Sequence, residues 1–269
     1  MKTIRKGSRS ADDVVMLQEM LKRAGYLVGV DGVFGDATDQ AVRAYQAASG
    51  LVVDGVVGQQ TWLKLMSQVP DYAAERAEKF LTEGDLIQAA KELDVELAAI
   101  KAVTEVEASG HGFVGGKPKI LFEGHWFWKR LKAHGLDPAM YQAGNEDVLY
   151  PKWTRAYYLG GVREYERLDK ARRIHEEAAL ESASWGLFQI MGYHWQSLGY
   201  PDVEGYAGLM GDSEGEQLRA FTRFVDVNDL AKYLRQHQWA SFASRYNGPD
   251  YRVNHYDEKL ERAYGRYAG

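Results

Sequence analysis

Hydrophobic residues recur at helical spacing along most of the chain, and Gly-rich turns separate the helical stretches. Residues 12–24 form the first such stretch, whose apolar positions are Val15, Leu17, Met20 and Leu21. This spacing predicts an amphipathic helix. The same pattern predicts helices over residues 81–93, 95–108 and 164–180. The fold class predicted from the pattern is therefore mainly α.

Signals at the ends of these stretches predict where helices begin and stop. Thr82 or Asp85 is suited to start one helix, and Asp94 is suited to cap the next. The apolar run 119–122 fits either a short strand or the start of a helix. Residues 145–158 are polar and interrupted by Pro, so we expect an irregular segment there.

An eight-residue pattern, D-G-V-x-G-x-x-T, occurs twice near the N-terminus, at residues 31–38 and 54–61. Asp-Gly followed by a second Gly is typical of tight turns. Thr38 and Thr61 are each placed to cap the helix that follows. Trp62 falls at helical spacing with apolar neighbours, so we expect it in the core. Together with the first helix, the repeats predict a three-helix unit over about residues 7–68.

Residues 98–112 carry two glutamates near the end of a predicted helix, and the helical period separates their environments. Glu107 projects within about 40° of Ile100 and Val103, on the apolar face. Glu105 projects with Lys101, where an exposed ion pair is expected. Burial and the helix C-terminus should both raise the pKa of Glu107, which suits a general acid. The alternative is a structural glutamate satisfied by an Arg or a backbone N–H.

Two later segments carry polar residues among apolar ones. Gln189 follows Gly186, Leu187 and Phe188, and a buried Gln must be hydrogen-bonded to backbone or to a ligand. Tyr-Asn-Gly at residues 246–248 ends a helical pattern, and its Asn could simply be a helix C-cap. Neither segment indicates chemistry by itself.

Composition narrows the function classes. The chain has 269 residues. Its net charge of −5 gives no general attraction to nucleic acid. Because it has no cysteine, thiolate chemistry is excluded. No run approaches the roughly 18 apolar residues that a membrane span needs. The basic N-terminus lacks an apolar stretch behind it, so we expect no signal peptide. Aromatic residues make up 12% of the chain, which suits either sugar stacking or an aromatic-rich core.

The segment containing the repeats resembles the peptidoglycan-binding domain of bacterial and phage wall hydrolases. The doubled motif, Ala41-Val42 with Tyr45-Gln46, and Gly50-Leu51 carry the resemblance. It implies a shallow groove near the repeated loops that binds cell-wall glycan or stem peptide. We expect this domain at residues 1–70, a linker at 71–80 and a catalytic domain at 81–269.

The remaining chain resembles the lysozyme-like fold of goose-type lysozymes and lytic transglycosylases, and more closely the N-acetylmuramidase domain of modular phage endolysins. The shared segments are Glu-Ala-Ser-Gly at 107–110, Gly-Leu-Phe-Gln-Ile at 186–190 and Tyr-Asn-Gly at 246–248. Two positions depart from the pattern. Ala108 follows the glutamate where Ser is commoner, and Gly248 comes one residue early.

The resemblance implies cleavage of the β-1,4 bond between N-acetylmuramic acid and N-acetylglucosamine, with Glu107 protonating the leaving oxygen. Gln189, Tyr246 and Asn247 would line the substrate cleft. Glu123 is the first candidate for a second carboxylate that activates water, or a structural ion-pair partner instead. Glu181 and Asp226 are weaker candidates for that carboxylate. Without such a group, a lytic transglycosylase giving anhydro-muramic ends is the alternative.

Two other function classes remain open. A zinc amidase is disfavoured because His175-Glu176 has Ala179 where a second His would be needed. A non-catalytic wall-binding protein is the other.

The expected partner is bacterial peptidoglycan. We expect no cofactor, no metal, no nucleic acid and no stable membrane insertion, and we expect the protein to be a monomer. The protein is expected in the host cytoplasm until the membrane is permeabilised, and then at the cell wall or periplasm.

Overall fold

The structure is a computed structural model that describes residues 3–8, 11–108 and 111–269. It is mainly α-helical, as predicted, with short strands in two small sheets. The chain forms two compact units. The N-terminal unit comprises Met1–Lys79, Phe113–Lys117 and Leu159–Tyr165. The C-terminal unit comprises Phe80–Gly112, Pro118–Tyr158 and Glu166–Gly269.

The N-terminal unit contains the three helices that its periodicity predicts and a fourth helix that follows them. Its helices are α1 (Ala11–Arg23), α2 (Asp36–Ala48), α3 (Gln59–Gln68) and α4 (Pro70–Lys79). Its core includes Leu17, Val42, Tyr45, Trp62 and Leu65, so Trp62 is a core residue. Helix α4 contains most of residues 71–80, the segment predicted as a linker.

The predicted roles of Thr38 and Thr61 as N-caps are wrong. The helices begin earlier, with Gly35 and Gly58 as the N-cap residues, so each Thr lies within the first turn. The Thr38 hydroxyl instead donates a hydrogen bond to the Val33 carbonyl, 3.1 Å away. It therefore stabilises the turn rather than the helix end.

Each repeated turn is held by a buried glutamine from the preceding helix. Gln18 donates to Asp31 Oδ1 at 2.7 Å and accepts from the Asp31 backbone N–H at 3.0 Å. Gln46 donates to Asp54 Oδ1 and accepts from the Gly55 N–H, both at 3.0 Å. The structural repeat thus includes a glutamine that the eight-residue pattern omits.

The helices that follow α4 along the chain are α5 (Glu83–Leu93), α6 (Leu97–Glu107), α7 (Gly124–Ala133), α8 (Ala139–Gln142), α9 (Glu164–Arg172), α10 (Glu176–Glu181), α11 (Val203–Met210), α12 (Glu214–Val227), α13 (Ala231–Arg235), α14 (Trp239–Tyr246) and α15 (Tyr256–Ala268). Short 3₁₀ turns lie at Gly161–Arg163, Gly192–His194 and Pro249–Asn254. As expected, residues 145–158 contain no helix or strand.

The C-terminal unit contains a small antiparallel sheet of β3 (Ile120–Phe122), β4 (Ala183–Trp185) and β5 (Ile190–Met191), in that order. Strands β1 (Phe113–Val114) and β2 (Lys117–Pro118) form a separate pair. The run 119–122 is therefore mostly a strand, and helix α7 begins two residues after it. The sheet carries the turn 186–189 between β4 and β5.

Two predicted helix boundaries are wrong. Asp94 adopts a left-handed conformation and ends α5, whereas Glu96 is the N-cap of α6. The charged stretch 164–180 is two helices, because the His175 ring accepts from the Ala178 N–H and caps the second one. Thr82 does cap α5, in a reciprocal capping box with Asp85.

Candidate functional site

Glu107 is the last residue of helix α6, whose apolar face is anchored by fully buried Ile100 and Val103. Its side chain is half-buried, and Oε1 accepts a hydrogen bond from Asn247 Nδ2 at 2.9 Å. This contact joins residues that are 140 positions apart along the chain. The tertiary fold thus brings the predicted glutamate to the predicted Tyr-Asn segment.

Burial raises the pKa of Glu107 to about 7, against 4.5 for an ordinary glutamate. The hydrogen bond from Asn247 and the positive charge of Lys259 both act in the opposite direction. A carboxyl group with this pKa is protonated in a large fraction of molecules near neutral pH. It can therefore donate a proton and still bear its charge afterwards.

Glu105 is exposed, as its position on the helix predicts. It pairs with Arg266, and it accepts a hydrogen bond from the Tyr267 hydroxyl at 2.9 Å. The expected pair with Lys101 does not form, because Lys101 reaches Glu83 on α5 at 2.7 Å. Glu105 and Glu107 thus face different surroundings although they are two residues apart.

Tyr246 and Asn247 lie at the end of α14, where Asn247 is the C-cap residue. The Tyr246 hydroxyl donates to the Phe188 carbonyl at 3.0 Å, and its ring stacks on Phe242. Burial, with the nearby charge of Glu107, raises the Tyr246 pKa well above its ordinary value. Tyr246 therefore stays protonated and ties the turn 186–189 to the helix that carries Asn247.

The Gln189 side chain is held by internal hydrogen bonds. Its Oε1 accepts from the Ser184 hydroxyl at 2.9 Å, and its Nε2 donates to the carbonyls of Gly186 at 2.8 Å and Lys119 at 3.3 Å. Its backbone has a positive φ of 51°, uncommon for a side chain larger than glycine. Gln189 thus fixes the turn between β4 and β5, and its contact with substrate stays a prediction.

Glu123 follows strand β3 and is the N-cap residue of α7. Its Oε2 accepts from the Tyr158 hydroxyl at 2.7 Å and lies 3.2 Å from His125 Nδ1. Burial, followed by the contact with Glu123, raises the Tyr158 pKa above its ordinary range. The irregular segment 145–158 thus supplies a neutral donor to the carboxylate of Glu123.

The two weaker carboxylate candidates have different positions. Glu181 is buried and bound by Arg130 at 2.7 Å, His134 at 2.8 Å and Trp195 at 3.1 Å. Burial alone would raise its pKa, but these three hydrogen bonds outweigh it and lower the pKa. Glu181 therefore has the contacts of a structural anion. Asp226 is exposed on α12.

Sequence reasoning missed two buried polar residues on α12. Glu214 and Gln217 are 4% and 1% exposed. They share a helix face with Leu218 and Phe221, at the i, i+3, i+4 and i+7 spacing. A polar residue on an apolar helix face is the signal that marks Glu107, and the same signal marks Glu214 and Gln217.

Comparison with known proteins identifies the chain. The sequence profile of the N-acetylmuramidase family matches residues 96–268, which is more than half of the chain. The chain belongs to the N-acetylmuramidase family. A second profile, that of a putative peptidoglycan binding domain, matches residues 10–65. The predicted lysozyme-like helical domain, the muramidase-type glycoside hydrolase class and peptidoglycan as the partner are thereby confirmed.

A solved structure and several curated proteins are similar to this muramidase. The crystal structure of Burkholderia AP3 phage endolysin is 45% identical, with a TM-score of 0.69 over 99% of both chains. The spore cortex-lytic enzyme of Halalkalibacterium halodurans is 41% identical over 76 residues, 28% of this chain and 23% of that enzyme. That of Bacillus cereus is 49% identical over 53 residues, 19% and 20% of the two chains. The chain thus spans about a quarter or less of these curated relatives.

Two further findings concern the described residues only. Among them, no helix is long and apolar enough to cross a membrane. In the same part of the chain, no group of three or more His, Asp and Glu side chains is arranged to hold a metal ion. Ser109 and Gly110, which belong to the Glu-Ala-Ser-Gly segment, lie outside the described residues.

Proposed function

We propose that this muramidase cleaves the β-1,4 bond between N-acetylmuramic acid and N-acetylglucosamine in peptidoglycan, with Glu107 as the general acid. The observation that carries the proposal is the half-buried Glu107 carboxyl, whose pKa is raised to about 7 and whose Oε1 is bound by Asn247. The family match supports the substrate class.

In this mechanism the protonated Glu107 gives its proton to the glycosidic oxygen as the bond to the sugar breaks. The carboxylate that remains is stabilised by the Asn247 N–H and by the charge of Lys259. Asn247 also fixes the carboxyl orientation, because one oxygen is occupied by its hydrogen bond. The other oxygen is then the one that carries the transferable proton.

The water that completes hydrolysis needs a base, and we assign that role to Glu123. Its carboxylate is oriented by the Tyr158 hydroxyl at 2.7 Å. An inverting enzyme would place the two carboxyl groups about 6.5–9.5 Å apart, with room for water between them. If the substrate's own groups complete the reaction instead, the product carries an anhydro-muramic end.

The N-terminal repeats would hold the enzyme on the wall, with a wall-binding domain at residues 1–70, a linker at 71–80 and a catalytic domain at 81–269. The peptidoglycan-binding match over residues 10–65 supports this role. The likeness to a phage endolysin supports action as a lysis enzyme, and the proposal takes the enzyme to act as a monomer. It would accumulate in the host cytoplasm until the membrane is permeabilised, and fractionation of infected cells tests this.

The test is cleavage of purified peptidoglycan by the full chain carrying Glu107→Gln or Glu105→Gln. Loss of the acid should lower the rate by about 10²- to 10⁴-fold. Glu105→Gln should keep most of the activity, because Glu105 is exposed and paired with Arg266. Full activity of the Glu107 variant would refute the mechanism.

Two further readouts accompany this test. The Glu107→Gln variant should still sediment with peptidoglycan, since wall binding is assigned to the other domain. Mass spectrometry of fragments released by the unaltered enzyme should find reducing ends. Anhydro-muramic ends would show a transglycosylase.

A further inference from the structure

Helix α12 presents two buried polar side chains to the loops that flank the Glu107 site. Gln217 Oε1 accepts from the Leu187 N–H at 2.6 Å. Its Nε2 donates to the carbonyls of Gly112 at 3.2 Å and Met210 at 2.8 Å. Gln217 is 1% exposed, so water cannot replace these bonds without rearrangement.

Glu214, one helical turn earlier, binds the same region. Its carboxylate accepts from the Gly112 N–H at 2.7 Å and from the Leu81 N–H at 3.0 Å. Gly112 lies five residues beyond Glu107. Both backbone polar groups of Gly112, its N–H and its carbonyl, are hydrogen-bonded to side chains of α12. The chain segment that leaves the Glu107 helix is therefore anchored by hydrogen bonds to α12.

Two glycines are required for this approach. A Cβ at Gly112 would lie 1.9 Å from Gln217 Oε1, and one at Gly186 would lie 2.6 Å from Gln217 Cδ. Gly186 also has a φ of +71°, which disfavours any side chain. Two glycines from distant loops thus make room for a single glutamine side chain. This gives a physical reason for the Gly that opens the Gly-Leu-Phe-Gln-Ile segment.

A continuous set of contacts leads from Gln217 to Glu107. Gln217 fixes the Leu187 N–H, and the next residue, Phe188, accepts the hydrogen bond of the Tyr246 hydroxyl. Asn247 follows Tyr246 directly and donates to Glu107. Each step is a covalent neighbour or a hydrogen bond of 3.0 Å or less.

We propose that Gln217 is a positioning residue for Glu107, because it fixes both the segment after α6 and the turn 186–189 that holds Tyr246 and Asn247 against the carboxyl. The proposal rests on the proposed role of Glu107 as the acid. Gln217 itself contacts neither Glu107 nor, in this mechanism, the substrate.

The environment that Gln217 controls is also the one that sets the acidity of Glu107. The groups that act on Glu107 are Asn247, the cap of α14, and Lys259 on α15. The charge of Glu107 in turn raises the pKa of Tyr246 on α14 and of Tyr256 on α15. Burial is the largest cause of the raised pKa. If the turn 186–189 loosens and Tyr246 withdraws, water reaches the carboxyl and its pKa falls toward 4.5.

The experiment compares Gln217→Glu with Gln236→Glu in the full chain. Both substitutions change the net charge equally, but Gln236 is exposed at the end of α13 and can keep its acceptor contact with Gln238 as a carboxylate. A carboxylate at 217 loses both donors to Gly112 and Met210 and faces their carbonyl oxygens. Carbon-13 NMR of labelled glutamate carboxyls gives the Glu107 pKa without reference to activity, and peptidoglycan cleavage gives kcat and KM.

We expect the Gln217 variant to lower the Glu107 pKa by at least one unit and kcat at least tenfold, with KM within threefold of the Gln236 variant. A lower Tm with an unchanged Glu107 pKa and unchanged kcat would overturn the proposal. If Gln217→Glu does not fold, Gln217→Met removes the same hydrogen bonds without adding charge and is read by the same criteria. Should Glu107→Gln remain active, the proposed function fails, while the NMR pKa still reports whether Gln217 positions Glu107.

Discussion

Glu107 and Glu105 show how a difference of two residues decides the chemistry of a carboxyl group. Glu105 faces solvent and keeps an ion pair with Arg266. Glu107 turns to the apolar face, where, among the described residues, Asn247 donates a hydrogen bond to it and Lys259 supplies a positive charge. Burial outweighs both and leaves the group poised near neutral pH.

The raised pKa of Glu107 makes the stability of the folded protein fall as the pH rises. Because the pKa of Glu107 is about 7 when folded and 4.5 in the reference state, folding favours the protonated form. The stabilisation is fully present below pH 4.5 and is lost as the pH rises through 7. Its full size is about 3 kcal/mol at 1.36 kcal/mol per pKa unit.

Glu107→Gln removes the cost of burying a charged carboxylate at alkaline pH. The new side chain keeps an oxygen that can accept the hydrogen bond of Asn247. At pH 8 we expect the variant to have a free energy of unfolding about 1–3 kcal/mol higher than that of the unaltered protein, measured by denaturant unfolding. The gap should narrow toward pH 5. Glu105→Gln is the control and should show no such trend. Equal stability at both pH values would show that Glu107 is not buried as described.

Each repeated turn of the N-terminal unit depends on a side chain from the helix that precedes it. The repeated turns look self-sufficient in sequence, because Asp-Gly and Gly are turn residues. In the structure each turn is closed by a buried glutamine, Gln18 or Gln46, that satisfies backbone and carboxylate groups together. The turn and the helix before it therefore form one unit.

Gln46→Leu tests this dependence. It removes the acceptor of the Gly55 N–H and one of the donors to the Val56 carbonyl, which should destabilise the N-terminal unit by about 1–3 kcal/mol. Gln60→Leu, at an exposed position of α3, is the control. Urea unfolding followed by tryptophan fluorescence, to which buried Trp62 contributes as one of seven tryptophans, gives the comparison. Equal unfolding midpoints would mean that the turn holds without Gln46.

At the scale of the whole molecule, the chain combines a wall-binding match with a muramidase match, and each belongs to a region with its own pattern of helices. The proposed mechanism uses carboxyl groups alone. It moves one proton from Glu107 and one to Glu123, so no step depends on a metal ion.

Cleavage of peptidoglycan should therefore withstand EDTA, with rates within about twofold of the untreated enzyme, because the proposed general acid and base are both protein carboxyls. Turbidity loss of purified walls gives the rate. A zinc amidase treated in parallel verifies the chelation. Activity that disappears with EDTA and returns with zinc would support the amidase alternative instead.

Much of the fold and part of the candidate site follow from local sequence. The helical period placed Glu107 on the apolar face and Glu105 in water, because side-chain direction along a helix depends only on spacing. Turn residues located the repeats, and Thr82 located the start of α5. The boundaries at Asp94 and within 164–180 were misassigned because local conformations fix them. Asp94 takes a left-handed conformation that ends α5, and the His175 ring caps the helix that follows.

What only the tertiary structure decided is which distant groups meet. The bond between Glu107 and Asn247 spans 140 residues, and the contacts of Gln217 with Leu187 and Gly112 span 30 and 105. Periodicity can mark such a side chain as inward-facing but cannot name its partner. The sequence by itself thus determined which residues turn inward, and the packing of helices and loops determined the hydrogen bonds and the burial that set the acidity of Glu107.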